Sequence, residues 1–155
     1  MGSAEILVNR LTKNHKTIAT AESCTGGALA NLITNVSGAS QVFLGGVIAY
    51  SNDLKQKLLS IDPQLIAQHS AVSAECAEAM VRGIHRITNA DVCVSITGIA
   101  GPTGGTKDKP VGTVFVAFLV DGKLEIEKYL IQKDRTAFKD EVCERVMTRV
   151  MKRLG

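Results

Sequence analysis

Ser23 and Cys24 are two nucleophilic side chains that stand at an abrupt junction in the sequence. The apolar run at residues 17–22 is typical of a buried strand, and Gly26 and Gly27 open a helical segment directly after it. A strand that turns at once into a helix leaves backbone N–H groups unpaired, and the helix dipole there favours an anion or an ionising nucleophile. Either side chain could therefore attack an electrophilic carbon at this turn.

Tyr50 and Lys55 are the residues that could activate a serine. Tyr50 ends a second predicted strand, residues 42–50, and Lys55 follows it. Their spacing is one residue too long for the pair used by short-chain dehydrogenases. A lysine can act as a general base when burial lowers its pKa toward neutrality. One hypothesis is therefore a Ser23 nucleophile with Lys55 or Tyr50 as its base. In the alternative, Ser23 caps a helix, Tyr50 ends a strand and Lys55 is a solvated helix residue.

Cys24 is the rival nucleophile, because a thiol is intrinsically the better one and its pKa falls at a helix N-terminus. No histidine lies in the neighbouring loops to serve as its base. Glu22, at the end of the same strand, has three interpretations: it orients a base, it binds a ribose hydroxyl, or it caps the following helix. The residues alone leave these alternatives open.

The segment 98–110 has the character of a phosphate-binding loop. Its spacing matches neither the Walker A motif nor the dinucleotide fingerprint. Glycine permits close approach of the backbone to an anion, hydroxyls come from Thr97 and Thr106, and charge comes from Lys107 and Lys109. The glycines concerned are Gly98, Gly101, Gly104 and Gly105. A flexible surface loop of turn residues is the alternative interpretation.

Alternating strand and helix patterns carry these segments. A nearly continuous apolar run at residues 91–97 is typical of a central parallel strand, Asp121 and Gly122 indicate a hairpin, and a final helix begins near Asp134. The predicted fold is a single three-layer α/β/α domain with a mixed, mainly parallel sheet of about five strands. The loops after parallel strands meet at one edge of such a sheet. We therefore expect residues 23–27, 50–55 and 97–106 to converge.

Helix caps and apolar spacing predict the helices that support these loops. Asn52 or Asp53 is expected to cap the helix that carries Lys55, and Ser73 to cap a longer helix. The predicted buried stripe of the longer helix consists of Ala77, Met80, Val81, Ile84 and Ile87.

Composition excludes several classes of function. The 155 residues suffice for one domain with its own core, and a net charge of +3 is too slight and too evenly spread for a nucleic-acid surface. Apolar runs are too short to span a membrane and no signal peptide is recognisable, so we expect a cytoplasmic protein. The scattered cysteines indicate neither a zinc site nor a disulfide framework. A homodimer is compatible with a small domain of this kind.

At the three loops the chain closely resembles the CinA C-terminal domain family, over nearly its whole length. The segments that carry the resemblance are Ala21-Glu-Ser-Cys-Thr-Gly-Gly27, Gly45-Gly-Val-Ile-Ala-Tyr-Ser51 with Lys55, Ala71-Val-Ser73, Thr97-Gly-Ile-Ala-Gly-Pro102, Gly104-Gly105-Thr106 and Lys109-Pro-Val-Gly-Thr113. Stand-alone members of that family are nicotinamide-nucleotide amidohydrolases. The resemblance implies hydrolysis of the carboxamide of nicotinamide mononucleotide to nicotinate mononucleotide and ammonia, in pyridine-nucleotide salvage, without a metal or cofactor.

The resemblance also implies roles for individual residues. The nucleophile of the family falls on Ser23, with Tyr50 and Lys55 as its activating partners. We expect the 5′-phosphate on residues 101–106 and Thr97, and the carboxamide oxygen at the N–H groups of residues 25–27. The expected substrate-binding residues are Cys24, Thr25, Gly26, Gly27, Gly46, Thr97, Gly98, Ala100, Gly101, Gly104, Gly105, Thr106 and Arg135.

The start of the last helix departs from the pattern of the family. The family usually has Gly-Asp-Arg followed by another arginine, whereas this chain has Lys133, Asp134 and Arg135, with Lys139 further on. Arg135 remains a predicted phosphate ligand, and the role of Lys139 is open. Two functions of other classes are alternatives to the hydrolase: a non-catalytic module that binds a pyridine nucleotide or a related phosphate, and an interaction domain for a partner protein.

Overall fold

The computed structural model describes all 155 residues, Met1–Gly155. The helices are α1 (Ser3–Lys13), α2 (Ala28–Thr34), α3 (Asn52–Leu59), α4 (Pro63–His69), α5 (Ala74–Thr88) and α6 (Arg135–Leu154). The strands are β1 (Ile18–Glu22), β2 (Phe43–Ile48), β3 (Val92–Gly98), β4 (Thr113–Val120) and β5 (Lys123–Leu130). None of the helices combines the length and the apolar character that a membrane span requires.

The five strands form one mixed sheet in the order β2-β1-β3-β4-β5. Strand β1 is parallel to both β2 and β3, whereas β4 is antiparallel to both of its neighbours. Four strands therefore run in one direction and β4 alone in the other, which confirms the predicted mixed, mainly parallel sheet. Glu22, the last residue of β1, is level with Ile48 of β2 and Ile96 of β3, so these three strands end at the same edge.

Helices cover both faces of the sheet because successive side chains of its central strands point to opposite sides. In β1, Ile18 belongs to the core beneath α1, α2 and α6, and its neighbour Ala19 belongs to the core beneath α5. Burial on both faces explains why β1 and β3 are apolar nearly throughout. Phe138 of α6 is fully buried in the first core, which stabilises the fold by about 2–3 kcal/mol.

The predicted N-cap of α5 is correct, and the predicted N-cap of α3 is not. Ser73 accepts a hydrogen bond from the N–H of Cys76, as expected of an N-cap. The cap of α3 is Ser51, whose Oγ accepts from the Leu54 N–H at 3.1 Å, so the prediction of Asn52 or Asp53 was wrong. The helix therefore begins at Asn52, one or two residues earlier than those caps implied. Asp62 caps α4, with Pro63 at its first position.

The predicted buried stripe of α5 is correct except at Ile87. Ala77, Met80, Val81 and Ile84 are all buried, but the side chain of Ile87 is 56% exposed. Three residues advance a helix by about 300°, which places Ile87 at the margin of the stripe. It also lies in the last turn of the helix.

Candidate active site

A cavity of about 280 Å³ lies at the edge where the carboxyl ends of β1 and β3 meet. Residues from all three of the loops that were expected to converge line it, together with the turn before α5 and the first residue of α6. The lining residues are Ser23, Cys24, Tyr50, Asn52, Lys55, Ala71, Val72, Thr97, Gly98, Ile99, Ala100, Gly101, Thr103, Gly104 and Arg135. Topology therefore brings distant segments of the chain to one site.

Ser23 and Lys55 are in direct contact within this cavity. Ser23 follows the last residue of β1, and Lys55 lies in the first half of α3. Lys55 Nζ donates a hydrogen bond to Ser23 Oγ at 3.1 Å and another to the backbone carbonyl of Tyr50 at 3.2 Å. Lys55 is only 2% exposed, so the interpretation of it as a solvated helix residue was wrong.

No carboxylate forms an ion pair with Lys55, and burial lowers the pKa of its amine. The charged forms of two thiols, Cys76 and Cys24, would raise that pKa. Burial raises the pKa of Cys76 to about 11 and that of Cys24 to about 12, so both thiols stay protonated at neutral pH. Lys55 therefore has no permanent counter-charge, which favours the neutral amine that a general base requires.

Cys24 is a buried thiol beside Ser23, and the expectation that a helix N-terminus lowers its pKa was wrong. Desolvation is the largest cause of the raised pKa, and the nearby Glu22 carboxylate raises it further. The thiolate is the nucleophilic form of cysteine. Cys24 is thus a lining residue whose sulfur is largely unreactive at neutral pH.

Glu22 is a buried carboxylate that caps the following helix. It accepts hydrogen bonds from the N–H groups of Leu29 and Ala30, at 3.0 and 2.9 Å, and from Thr25 Oγ1 at 2.7 Å. Of its three interpretations, capping is the one that these contacts describe. The N-terminal N–H groups of α2 are thereby satisfied within the protein, so they do not face the cavity.

The turn between β1 and α2 still has backbone donors without a partner. Gly26 N–H donates to the Ser23 carbonyl at 3.0 Å, whereas the N–H groups of Cys24, Thr25 and Gly27 make no hydrogen bond. Of these, Cys24 lines the cavity directly, and the other two belong to the same tight turn. Unpaired N–H groups next to a nucleophile can stabilise a developing oxyanion.

The phenol of Tyr50 is hydrogen-bonded to Arg135 and not to Ser23. Arg135 Nη2 donates to the Tyr50 hydroxyl at 2.8 Å, and Nη1 donates to the Gly101 carbonyl at 2.7 Å. The hydrogen bond between Tyr50 and Lys55 is made by the backbone carbonyl of Tyr50 and not by its phenol. Arg135, the first residue of α6, therefore joins the loop after β2 to the glycine-rich loop after β3.

The glycine-rich loop contributes its first half to the cavity. Ile99 and Thr103 line the cavity beside the glycines of that half, although they were not among the predicted site residues. Thr97 lines it as well, and its hydroxyl donates to the Ala71 carbonyl at 2.8 Å.

The second half of that loop lies outside the cavity, contrary to expectation. Lys109 donates to the carbonyls of His69, at 3.1 Å, and Val72, so its ammonium fastens the loop to the turn before α5. Thr106 accepts a hydrogen bond from the Lys109 N–H. A Cβ on Gly105 would lie 2.5 Å from the backbone nitrogen of Val111, so packing requires glycine there.

Gly45 and Gly46 are explained by the sheet and not by a ligand. The register between β1 and β2 shifts between Phe43 and Gly45, where Leu44 has no partner on β1, as in a β-bulge. A Cβ on Gly46 would lie 2.4 Å from Thr20 Oγ1, so Gly46 permits close packing on β1 and does not line the cavity. Thr25, Gly26 and Gly27 also lie outside the lining, although they form the turn that presents Ser23.

Several lining residues were not predicted individually. Asn52, Ala71 and Val72 line the cavity. Asn52 lay in one of the named loops, and Ala71 and Val72 belonged to a segment that carries the family resemblance. Lys139 Nζ lies 3.7 Å from the position that a Cβ on Gly26 would take. A second cation therefore stands beside the turn that carries Ser23, as well as Arg135 at the cavity.

The fold and the site define an open α/β domain with a small-ligand cavity at the carboxyl edge of its parallel strands. No cluster of three or more histidine, cysteine, aspartate or glutamate side chains is placed to hold a metal ion. The model of the family described as the CinA C-terminal domain matches residues 2–154. The chain belongs to the CinA C-terminal domain family.

Relatives and solved structures agree with this assignment. The CinA-like protein of Thermotoga maritima is 56% identical over 112 residues, which are 72% of this chain and 28% of that protein. The CinA-like protein of Kosmotoga olearia is 47% identical over 139 residues, 90% of this chain and 34% of that protein. The chain thus spans only about a third of the length of these relatives.

Two crystal structures match almost the whole chain. A CinA superfamily protein from Klebsiella pneumoniae superposes with a TM-score of 0.94 at 30% identity, covering 98% of this chain and 95% of that one. The competence/damage inducible protein CihA from Agrobacterium tumefaciens superposes with a TM-score of 0.91 at 30% identity, covering 98% and 96%.

Proposed function

We propose that this domain is an amidohydrolase that converts nicotinamide mononucleotide to nicotinate mononucleotide and ammonia. The observation that carries the proposal is the 3.1 Å hydrogen bond between Ser23 Oγ and the buried amine of Lys55. A serine is a weak nucleophile unless a neighbouring base removes its proton. A lysine buried without a carboxylate partner is suited to that task at neutral pH.

In the first step, Ser23 Oγ attacks the carboxamide carbon while neutral Lys55 accepts the hydroxyl proton. A C–O bond forms, and the electron pair of the carbonyl moves to its oxygen. The unpaired N–H groups of the turn after Ser23, with that of Cys24 at the cavity wall, stabilise the resulting oxyanion.

In the second step, the Lys55 ammonium donates its proton to the amide nitrogen as the C–N bond breaks. Ammonia leaves, and nicotinate remains as an ester on Ser23. Lys55, neutral again, then deprotonates a water molecule that attacks the ester, and it returns the proton to Ser23 as the C–O bond breaks. The net reaction is amide plus water to carboxylic acid plus ammonia.

The charge and the size of the cavity support a mononucleotide as the substrate. Its volume of about 280 Å³ lies just below the range of about 300–1,000 Å³ for small-ligand sites, which favours a mononucleotide over a dinucleotide. Apolar side chains of Val72 and Ile99 suit a flat pyridine ring. Arg135 supplies a planar cation of the kind that binds phosphate bidentately.

The proposal is tested by incubating the purified chain with nicotinamide mononucleotide. We expect ammonia and nicotinate mononucleotide to appear in equal amounts, measured by a coupled ammonia assay and by chromatography, and Ser23→Ala to abolish both. If calorimetry shows that the nucleotide binds but no ammonia is released, the chain is a non-catalytic binding module. If neither is seen, the interaction-domain alternative is favoured.

A further inference from the structure

We propose that Arg135 is a phosphate-operated latch on Tyr50: a phosphate group that binds the guanidinium releases the phenol, which is then free to contact the substrate. The relationship that points to this is the hydrogen bond from Arg135 Nη2 to the Tyr50 hydroxyl at the cavity. The binding half of this inference, that phosphate displaces the phenol from Arg135, is argued from geometry alone. The kinetic half, that this displacement raises turnover, rests on the proposed function.

Tyr50 is held by two hydrogen bonds, one to its backbone and one to its side chain. Its backbone carbonyl accepts from the buried Lys55, which fixes the main chain beside the proposed base. Its side chain is 56% exposed, and Arg135 is the sole hydrogen-bond partner of its hydroxyl. A change at one guanidinium can therefore move the ring without moving the backbone or Lys55.

Arg135 has the capacity to exchange its partners. A guanidinium carries five N–H groups, and in this structure one of them donates to the Gly101 carbonyl and one to the Tyr50 hydroxyl. Both acceptors are neutral oxygens, which bind a guanidinium less strongly than a phosphate does. A phosphate monoester therefore competes effectively for the same donors.

The other cations near the loops are not equivalent to Arg135. Lys109 donates to two backbone carbonyls, and Lys133 forms an ion pair with Glu141 at 2.9 Å. Lys139 stands beside the turn after Ser23 but does not line the cavity. Only Lys55 and Arg135 are cationic among the residues that line the cavity, and Lys55 is occupied by Ser23. An anion that enters the cavity thus meets Arg135, and through it Tyr50.

This coupling makes the phosphate a determinant of turnover as well as of affinity. A substrate that lacks the phosphate, such as nicotinamide riboside, leaves Tyr50 bound to Arg135. Binding energy from the phosphate, which does not react, is then used to release Tyr50. Removal of the phosphate therefore lowers kcat as well as the affinity.

The binding half can be tested without catalysis, because the chain has two tyrosines and no tryptophan. The protein is prepared with isotope-labelled tyrosine rings, and Tyr129→Phe assigns the two NMR signals. Inorganic phosphate is titrated against sodium chloride of equal ionic strength. We expect the Tyr50 signal to shift saturably, while that of the buried Tyr129 stays in place.

Variants separate the latch from a general effect of charge. In Arg135→Gln we expect the Tyr50 signal to lie near its phosphate-saturated position from the start and not to respond further. Arg82→Gln removes a charge from the exposed face of α5, so it should respond as the unmodified protein does. The latch is wrong if phosphate leaves Tyr50 unmoved, if both tyrosines shift together, or if Arg135→Gln still responds.

The kinetic half compares two substrates. We expect kcat for nicotinamide mononucleotide to exceed that for nicotinamide riboside by about tenfold, and added inorganic phosphate to raise kcat for the riboside. Equal kcat values with a difference in KM alone would overturn the coupling while leaving the proposed function intact. If the mononucleotide is not hydrolysed, the proposed function fails, and the NMR titration still decides whether the latch exists.

Discussion

Lys55 Nζ lies 3.1 Å from Ser23 Oγ, although 32 positions separate the two residues in the chain. The lysine is buried and has no carboxylate partner, an arrangement that costs stability because a charged amine is desolvated. Folds tolerate such a group where it performs chemistry, and activity and stability then oppose each other. The pair therefore has consequences both for turnover and for unfolding.

The two nucleophile candidates give opposite expectations. Ser23→Ala should lower kcat for nicotinamide mononucleotide by at least about a thousandfold, because the neighbouring thiol of Cys24 stays protonated and does not replace the hydroxyl. Cys24→Ala should retain kcat within about threefold, since a thiol with a pKa of about 12 is protonated at neutral pH. Initial rates of ammonia release measure both. An inactive cysteine variant beside an active serine variant would reverse the assignment.

The pH dependence of turnover should report Lys55. Burial lowers its pKa from the ordinary lysine value, and only the neutral amine can accept the serine proton. We expect kcat/KM to rise with pH and to level off above the lowered pKa, before ordinary lysines lose their charge. Lys55→Arg keeps the charge and should be nearly inactive at every pH. A profile without a rising limb would remove Lys55 as the base.

Lys55→Met should stabilise the protein while abolishing turnover. At a pH below the lowered pKa the buried ammonium destabilises the fold, and this penalty is relieved as the pH rises toward the ordinary lysine pKa. We expect Tm to rise by roughly 2–4 °C at neutral pH, and the gain to shrink at alkaline pH.

Lys57→Met is the matched control for that measurement. Lys57 is exposed on the same helix and pairs with Asp53, so its replacement should change Tm little, without the same dependence on pH. A gain in Lys55→Met that is constant with pH, or equal in the two variants, would contradict the buried-charge explanation.

Glu22→Gln should destabilise the fold strongly. The carboxylate accepts three hydrogen bonds from Thr25, Leu29 and Ala30, and an amide would bring two donors of its own to this buried site. We expect the free energy of unfolding to fall by about 2–4 kcal/mol, measured by urea denaturation. Glu78→Gln on the exposed face of α5 is the control, with an expected change within about 0.5 kcal/mol.

Gly46→Ala should destabilise the sheet without a direct effect on the cavity. The added Cβ would lie 2.4 Å from Thr20 Oγ1 and 3.1 Å from the Thr20 carbonyl oxygen, so β1 and β2 would have to separate. We expect a loss of about 1–3 kcal/mol in urea denaturation. Gly2→Ala, which meets no atom within 4 Å, should leave stability nearly unchanged. Equal stabilities would mean that the strands absorb the methyl group.

The sequence by itself determined the elements and their order. Apolar periodicity and capping residues are local signals, so they placed β1, β2 and β3 within two residues of their observed bounds and the starts of α5 and α6 within one residue. The same local rules gave an incorrect cap for α3. They also predicted a buried Ile87, which is exposed because burial at the margin of a helix face depends on what packs against it. The convergence of three loops also followed from the sequence, since the carboxyl ends of parallel strands meet at one edge.

Only the tertiary structure decided which side chains are in contact and which are buried away from solvent. Glu22 caps a helix, a role that the sequence had left open. Lys109 binds backbone carbonyls although a phosphate was expected, and the pKa of Cys24 is raised although a lowered one was expected. It also placed Lys55 against Ser23 and joined Arg135 to Tyr50. These contacts join residues far apart in the chain, and desolvation depends on the groups that surround a side chain. Neither can be read from spacing along the sequence.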